Sequence, residues 1–117
     1  MHISRRFFAV ALLGFALAVA GCGGSPTSRR TIDAAPVGSG AGFDPTTITV
    51  NKDDNVIITV GNTTTKTHGF SIEGYGIHDE VNPGTPIEVH FKSRKPGTFK
   101  IYCQLHETHQ IATLVVQ

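Results

Sequence analysis

The sequence predicts an all-β protein, a β-sandwich of about seven to eight short strands, and three observations support this fold class. Apolar residues alternate with polar ones through most of the chain, no stretch keeps a helical period of 3.6, and turn-forming residues separate the alternating runs. The 13 glycines and six prolines also favour short strands joined by tight turns. An antiparallel sandwich with one buried face per sheet accounts for this pattern in a chain of 117 residues.

The predicted strands follow from the alternating runs in chain order. Ile48 and Val50 share a face of the first run, and Ile87, Val89 and Phe91 share a face of a later one. The runs are residues 46–50, 56–60, 69–72, 87–92, 99–103 and 114–116. Turn signals lie between them at 51–54, 82–84 and 95–97.

Residues 1–21 have the features of an export signal rather than of a folded element. Arg5 and Arg6 form a basic start, and residues 7–20 form an apolar run that is short for a membrane span. The run ends in LAVAGC, and small residues before a cysteine resemble the lipobox of bacterial lipoproteins. That resemblance implies that Cys22 is diacylated and anchors the protein to a membrane face without spanning it. An ordinary secretory signal that contains a cysteine is the alternative.

The export signal sets the domain boundaries and the compartment. Residues 22–29 are predicted to be the lipidated cysteine and a flexible tether, and residues 30–117 the folded domain. The predicted location is the cell envelope, in the periplasm or on the outer face of a bacterial membrane. Without Arg5 and Arg6, eight basic residues oppose nine acidic ones, and this near-neutral balance argues against a nucleic-acid partner.

A thiol and two imidazoles lie close together near the end of the chain. His106 and His109 follow Cys103 by three and six residues, so all three side chains can converge on one ion from a single loop. A thiolate with imidazoles suits copper or zinc. The alternative for Cys103 is a buried structural cysteine, because it continues the inward face of Phe99 and Ile101.

One loop rarely surrounds a metal ion, so a fourth ligand is expected from elsewhere. His68 is the best candidate, because it opens the run 69–72 and would lie beside Cys103 if their strands are neighbours. The alternative for His68 is a surface loop histidine. His90 and Glu73 are interpreted as solvated side chains from their outward strand parity. His78 is interpreted as an ordinary loop histidine, and Glu107 as a solvated charge that tunes docking rather than a ligand.

The order and spacing of several motifs resemble the cupredoxins. The motifs are FDPTTITV at 43–50, VGN at 60–62, HGFSI at 68–72, NPG at 82–84, KPGTF at 95–99, YCQLH at 102–106 and TLVV at 113–116. The resemblance implies a cupredoxin-like Greek-key β-sandwich that binds one mononuclear copper at one end, with His68, Cys103, His106 and His109 as the metal ligands.

Two branches of the family are similar to different parts of this site. Residues 69–106 are similar to nitrosocyanin, but that branch has a glutamate at the position of His68 and a longer ligand loop. The blue-copper branch, which includes plastocyanin and amicyanin, has a histidine at the His68 position and an axial methionine where this chain has His109. Met1 is the one methionine of the sequence, so a methionine-ligated site is excluded. Gly69 stands where blue-copper proteins usually have asparagine, which implies that a brace on the cysteine loop is missing.

The resemblance implies a one-electron carrier, tethered to the membrane by its lipid and paired with an unidentified redox protein, rather than an enzyme. If His109 binds strongly in the axial position, a green or red site with a lowered reduction potential is expected, whereas a bluer site is expected if loop strain keeps His109 distant. Copper trafficking or storage, nitrosocyanin-like binding of a small molecule such as nitric oxide, and a zinc site are the alternatives. A Cys–His nucleophile is the weakest interpretation, because nothing in the sequence supplies an orienting group or an oxyanion cradle.

Overall fold

Two β-sheets packed around one hydrophobic core form the protein in the computed structural model, which describes residues 24–117. Within this range there are nine strands and no helix that could cross a membrane. The strands are β1 (Thr27–Val37), β2 (Gly40–Asp44), β3 (Thr47–Val50), β4 (Asn55–Asn62), β5 (His68–Ile72), β6 (Ile77–Val81), β7 (Ile87–Lys92), β8 (Gly97–Tyr102) and β9 (Ala112–Val116). The predicted export signal and Cys22 lie outside the described residues.

The sheet topology confirms the all-β Greek-key sandwich. One sheet has the strand order β2-β1-β4-β7, and the other has the order β3-β9-β8-β5-β6. The expectation of a purely antiparallel sandwich was wrong, because β1 runs parallel to β4 and β3 runs parallel to β9. The strand count, nine in residues 24–117, also exceeds the seven to eight expected. The additional strands have weak apolar alternation; β6, for example, exposes three consecutive polar residues.

The first strand begins inside the segment that the sequence predicts to be a tether. Residues 27–34 of β1 pair in parallel register with residues 55–62 of β4, so the ordered sandwich starts at Thr27 rather than at residue 30. Ser28 donates a hydrogen bond of 2.5 Å to the carboxylate of Asp54, which is 3% exposed and also accepts from the Asn51 backbone N–H. These contacts hold the start of β1 at the end of the sandwich that carries the turn before β4.

The core confirms the inward faces predicted from the alternating runs. The predicted apolar residues of β3, β4 and β9 are all buried: Ile48, Val50, Val56, Ile58, Val60, Leu114 and Val116. Two aromatic rings from opposite sheets, Phe43 and Phe70, meet edge to face with their centroids 5.8 Å apart. The remaining large side chains pack around them, so the strand ends next to Phe43 and Phe70 are held on a rigid base.

Two of the three predicted turns, at 51–54 and 82–84, are present and carry the backbone conformations that their residues favour, whereas 95–97 holds a bend that leads directly into β8 at Gly97. Asp53 in the turn 51–54 has a φ of 66°, and Gly84 in the turn 82–84 has a φ of 71°. Aspartate and glycine tolerate this left-handed region better than most residues. The turn at 82–84 is closed by a hydrogen bond from the Thr85 N–H to the Asn82 carbonyl. The turn at 82–84 also contacts the end of β4, because the Gly84 N–H donates to the Asn62 carbonyl at 3.1 Å.

Candidate metal centre

Strand adjacency brings the predicted ligands to one end of the five-stranded sheet. His68 is the first residue of β5, and Cys103 directly follows the last residue of β8. The two strands are antiparallel neighbours, with Ser71 opposite Tyr102 and Ile72 opposite Ile101. The start of one strand therefore lies beside the end of the other, as the sequence analysis required for His68 to approach Cys103.

Three donor groups form a compact cluster at this end. One donor atom from each of His68, Cys103 and His106 lies within 4.8 Å of the other two. The Cys103 Sγ atom is 3.4 Å from Nδ1 of His106 and 3.9 Å from Nδ1 of His68. His68 and Cys103 are each 5% exposed, whereas His106 is half-buried. Both imidazoles thus present Nδ1 to the sulfur in a largely dry environment.

The spacing of the ligand loop has a direct structural cause. The His106 N–H donates to the Cys103 carbonyl at 3.4 Å, and the His109 N–H donates to the His106 carbonyl at 3.2 Å. Each of these bonds joins residues three apart, as in a tight turn. Two successive turns of this kind return the chain towards the cluster every three residues, which explains the Cys-x-x-His-x-x-His pattern.

His109 lies beside the cluster, outside the group of three whose donor atoms are within 4.8 Å. Its ring centroid is 4.8 Å from that of His68 and 4.3 Å from that of Phe43. Nδ1 of His109 lies 3.0 Å from the Gln110 carbonyl oxygen, and a carbonyl only accepts, so Nδ1 carries the proton. In the neutral ring Nε2 then bears a free lone pair, and within residues 24–117 this buried atom has no hydrogen-bond partner.

Burial favours the neutral form, which a metal ion requires, in two of the imidazoles. Desolvation lowers the pKa of His68 below its ordinary value of 6.5, and the neighbouring His109, His106 and Lys66 lower it further. Desolvation also lowers the pKa of His109, and His106 adds to this effect, although the hydrogen bond to Gln110 opposes it. Neutral imidazole nitrogens and a thiol that can lose its proton are the donors that copper and zinc bind.

The cysteine sulfur is also oriented by the main chain. The Gly69 backbone N–H donates to Cys103 Sγ at 3.1 Å, across the gap between β5 and the ligand loop. Cys103 packs in the hydrophobic core as well, so the sequence-based alternative of a buried cysteine correctly describes its surroundings. The contacts to an N–H group and two imidazoles give this buried thiol a polar face directed at the cluster.

The other polar residues considered from the sequence lie apart from the cluster. His90 is exposed and pairs with Glu88 at 3.0 Å, and Glu73 and Glu107 are exposed. His78 was predicted to lie in a loop, and this was wrong: it lies in β6, where the register places it opposite Ser71. Its Nδ1 is 3.1 Å from the Ser71 hydroxyl rather than near Cys103.

Asn62 supports the approach to His68, and the sequence analysis gave it no such role. Its amide nitrogen donates to the carbonyls of Lys66 at 2.7 Å and Val81 at 2.9 Å. Its amide oxygen accepts from both the N–H and the hydroxyl of Thr64. One buried side chain thus shapes the loop between β4 and β5. The available signal was an asparagine at the end of an apolar strand, a position where local side-chain hydrogen bonds to the backbone are common.

A cavity of about 370 Å³ opens beside the histidines. It is lined by His68, His106 and His109 together with hydroxyl-bearing residues and Lys66. The hydroxyl-bearing residues are Ser39, Thr63, Thr64, Thr65 and Thr108. The donor cluster therefore has an opening to solvent on one side, although its own atoms are largely buried.

The arrangement of these residues fits one mononuclear copper site. A thiolate and two imidazoles within reach of one ion are the donors of blue-copper electron-transfer sites. The lone pair of His109 Nε2, which has no partner among the residues that the structure describes, is a further observation in favour of a bound ion, since a buried polar atom without a partner is unfavourable. Of the four predicted ligands, only His109, which the sequence analysis placed in the axial position, lies outside the group of donor atoms within 4.8 Å.

Comparison with known proteins supports this interpretation. Residues 10–116 match the family model of the cupredoxin-like domain. Over 54 residues the chain is 37% identical to cytochrome c oxidase subunit 2 of Thermus thermophilus, a match that takes in 43% of this chain and 40% of that protein. The chain thus spans well under half the length of this curated relative.

Solved structures share the fold at low sequence identity. Auracyanin A, a blue copper protein from Chloroflexus aurantiacus, is similar with a TM-score of 0.64 and 17% identity, over 78% of this chain and 99% of that one. A purple cupredoxin from Nitrosopumilus maritimus is similar with a TM-score of 0.57 and 17% identity, over 75% of this chain and 99% of that one. At this identity the likeness shows a common fold.

The metal-free protein is expected to lose stability as the pH falls below 6.5, the ordinary pKa of histidine. In the unfolded chain His68 and His109 titrate at that ordinary value, whereas the folded protein resists their protonation. The neutral imidazoles of His68 and His109 therefore make their full contribution to the free energy of unfolding at pH values above the unfolded pKa. This contribution is lost as the pH falls through the lowered folded-state pKa values. Urea unfolding over a series of pH values measures this dependence.

Two variants separate the cluster from other titrating groups. His109→Gln should weaken the decline, because one of the two linked imidazoles is gone. The exposed His90→Gln variant should keep the wild-type dependence, because both linked imidazoles remain. A metal-free protein equally stable on both sides of pH 6.5 would contradict the prediction.

Proposed function

The chain belongs to the cupredoxin-like family, and on this basis we propose that it is a copper-binding one-electron carrier held at the cell envelope. The observation that supports this most is the cluster itself, in which a thiol and two imidazoles meet within 4.8 Å at one end of a rigid sandwich. A bound copper ion supplies the one-electron chemistry. The protein holds the ion and limits how much its surroundings move.

Three residues are proposed as the principal ligands: His68 and His106 through Nδ1 and Cys103 through Sγ. They are fixed by independent means. His68 sits in a strand, Cys103 is packed in the core, and His106 is held by a closed turn. Donors held in this way keep nearly the same positions in both oxidation states, which lowers the reorganisation needed for electron transfer.

His106 is the proposed point of electron entry and exit. It is half-buried, whereas His68 and Cys103 are buried, so its ring is the part of the donor set nearest to solvent. The adjacent Leu105 is 44% exposed, which gives the surface beside His106 an apolar character. A redox partner protein that packs against this surface would come within short range of the cluster.

His109 is proposed as the fourth ligand, through its Nε2 atom, which no group within residues 24–117 hydrogen-bonds. An imidazole nitrogen donates more electron density than the thioether of a methionine, so it favours Cu(II) over Cu(I). The site is therefore expected to be green or red rather than blue, with a lowered reduction potential. The hydrogen bond from His109 Nδ1 to the Gln110 carbonyl holds the tautomer that leaves Nε2 free.

The membrane tether is part of the proposal and rests on the sequence. A basic start, a short apolar run and small residues before Cys22 support export and lipidation. Cell fractionation of the full chain tests this. The wild-type protein is expected in the membrane fraction, and Cys22→Ser should move it to the soluble envelope fraction, whereas equal membrane association of both would oppose lipidation at Cys22.

A second function is favoured by the cavity of about 370 Å³ beside the cluster. Its opening past His68, His106 and His109 would let a small molecule such as nitric oxide approach the metal, as in the nitrosocyanin-like alternative. Copper trafficking or storage is less well supported, because two of the three clustered donors are buried and poorly placed for handover. Binding of nitric oxide to the copper-loaded protein, followed by its optical spectrum, distinguishes the second function from simple electron transfer.

Loading with Cu(II) is expected to produce intense visible absorption from charge transfer between sulfur and copper. Cys103→Ser should abolish this band, because a hydroxyl is a hard, weak donor in comparison with a thiolate. The protein should carry Cys22→Ser throughout, so that Cys103 is its one thiol. Optical and EPR spectra measure the outcome, and Ser93→Ala, a buried change beside the turn 51–54 and outside the ligand set, is the control.

A colourless protein that binds metal tightly would instead indicate zinc, which has no ligand-field bands. A colour that survives in Cys103→Ser would contradict the thiolate ligand.

Replacement of His109 is expected to raise the reduction potential and to shift the colour towards blue. His109→Met supplies a weaker thioether donor, which leaves the copper–thiolate bond shorter and favours Cu(I). Spectroelectrochemical titration measures the potential, and His90→Met, an exposed change on β7, is the matched control. An unchanged spectrum and potential in His109→Met would remove His109 from the ligand set.

A further inference from the structure

We propose that Gln104 is a positioning residue for the metal centre, whose side-chain amide fastens the ligand loop 103–109 to β5 and β6. The inference rests on the proposed copper site for its functional meaning. Its structural basis is a set of hydrogen bonds that begins one residue after Cys103. None of these bonds involves a proposed ligand atom.

The main-chain connection between β5 and β8 ends before it reaches the cluster. The register between these strands runs through Ile72↔Ile101 and Ser71↔Tyr102, and the next residue of the chain is Cys103. Beyond this point the Gly69 N–H donates to the Cys103 sulfur rather than to a carbonyl. The ligand loop therefore leaves the sheet without the main-chain hydrogen bonds that hold β8.

Where the main-chain hydrogen bonds between β5 and β8 end, the Gln104 side-chain amide supplies further hydrogen bonds to the sheet. Its Oε1 atom accepts from the Ser71 hydroxyl at 2.7 Å, and its Nε2 atom donates to the Asp79 carbonyl at 2.8 Å. Both ends of the amide are used, one on β5 and one on β6. A single side chain thus ties the loop to two strands, and the fixed order of its donor and acceptor sets its orientation.

Ser71 extends the same set of bonds towards β6. Its hydroxyl has one proton, which goes to Gln104, so the contact of 3.1 Å with His78 requires His78 Nδ1 to be the donor. Ser71 is fully buried, and its two hydrogen bonds satisfy it. The buried hydroxyl therefore gives the Gln104 amide a fixed partner rather than a mobile surface one.

Gly69 provides the space that the amide occupies. A Cβ atom at this position would overlap the Oε1, Cδ and Nε2 atoms of Gln104. The backbone of Gly69 has no positive φ, so a side chain here would act through space, by displacing the Gln104 amide, rather than through backbone conformation. The sequence analysis took Gly69 to mean that a brace is missing. In the structure the contact between β5 and the ligand loop is instead made by the side chain of Gln104, the residue after the cysteine.

The effect of this brace on the site follows from the position of the sulfur. By holding residue 104 against β5, the amide keeps the adjacent Cys103 sulfur 3.1 Å from the Gly69 N–H. A donor N–H withdraws electron density from a thiolate, which favours Cu(I) and raises the reduction potential. Loss of the amide should release the loop, weaken this N–H contact and lower the potential.

The test uses the full chain with Cys22→Ser as the parent protein and compares it with three variants of that parent: Gln104→Ala, Gly69→Ala and the double variant. Gln117→Ala, a change to the exposed glutamine at the chain end, is the matched control. In the metal-free protein we expect non-additive effects on the free energy of unfolding, because Gly69→Ala disturbs a contact that Gln104→Ala has already removed. We also expect the Cys103 thiol to react faster with a thiol reagent in Gln104→Ala.

In the copper-loaded protein, Gln104→Ala is expected to lower the reduction potential and to reduce the affinity for Cu(II) by about 10- to 100-fold, the usual effect of losing a residue that orients a ligand. Competition with a chelator measures the affinity. Wild-type values of thiol reactivity, affinity and potential in Gln104→Ala would overturn the inference, even if the free energy of unfolding changed. If the parent protein takes up no copper, the proposed function fails, and thiol reactivity with the double-variant comparison still decides the role of Gln104.

Discussion

The position of one histidine beside one cysteine, across the gap between β5 and β8, is the constraint on which the rest of the site depends. The main-chain pairing of the two strands ends at Ser71 and Tyr102, and beyond this point side chains rather than paired carbonyls face the neighbouring strand, as the Cys103 sulfur faces the Gly69 N–H. His68 and Cys103 occupy those places. The two tight turns that follow Cys103 then bring His106 and His109 to the same place through local hydrogen bonds alone.

The concentration of imidazoles at a buried sheet end opposes the stability of the metal-free fold. Burial disfavours protonation of His68 and His109, and the lone pair of His109 Nε2 has no partner in the part of the chain that the structure describes. The sandwich tolerates this because the edge-to-face pair of Phe43 and Phe70 anchors the core immediately behind the site. Binding of an ion would relieve the unfavourable terms, since ligands that bind only the folded state stabilise it.

The sequence predicted the parts of the structure that are local or strongly patterned. Alternating apolar residues identified the inward faces of β3, β4 and β9, and the short spacing after Cys103 identified the ligand loop. β1 was missed because its first half is polar and its apolar residues begin only at Ile32. The role of Gln104 had no local signal, because its partner Ser71 is 33 residues away in the chain and the contact exists only after β5 and β8 become neighbours.

The first strand also sets the distance between the point where the chain enters the sandwich and the end that carries the metal-binding cluster. β1 starts at Thr27, beside the turn before β4, and reaches Pro36 at the rim of the cavity near the histidines. Eleven residues of strand span roughly 35 Å at about 3.3 Å per residue. If Cys22 carries a lipid, this length is several times the distance of about 8 Å over which physiological salt screens charge. The charge of the lipid headgroups would then have little influence at the copper end, and the choice of partner would depend on the protein surface around His106.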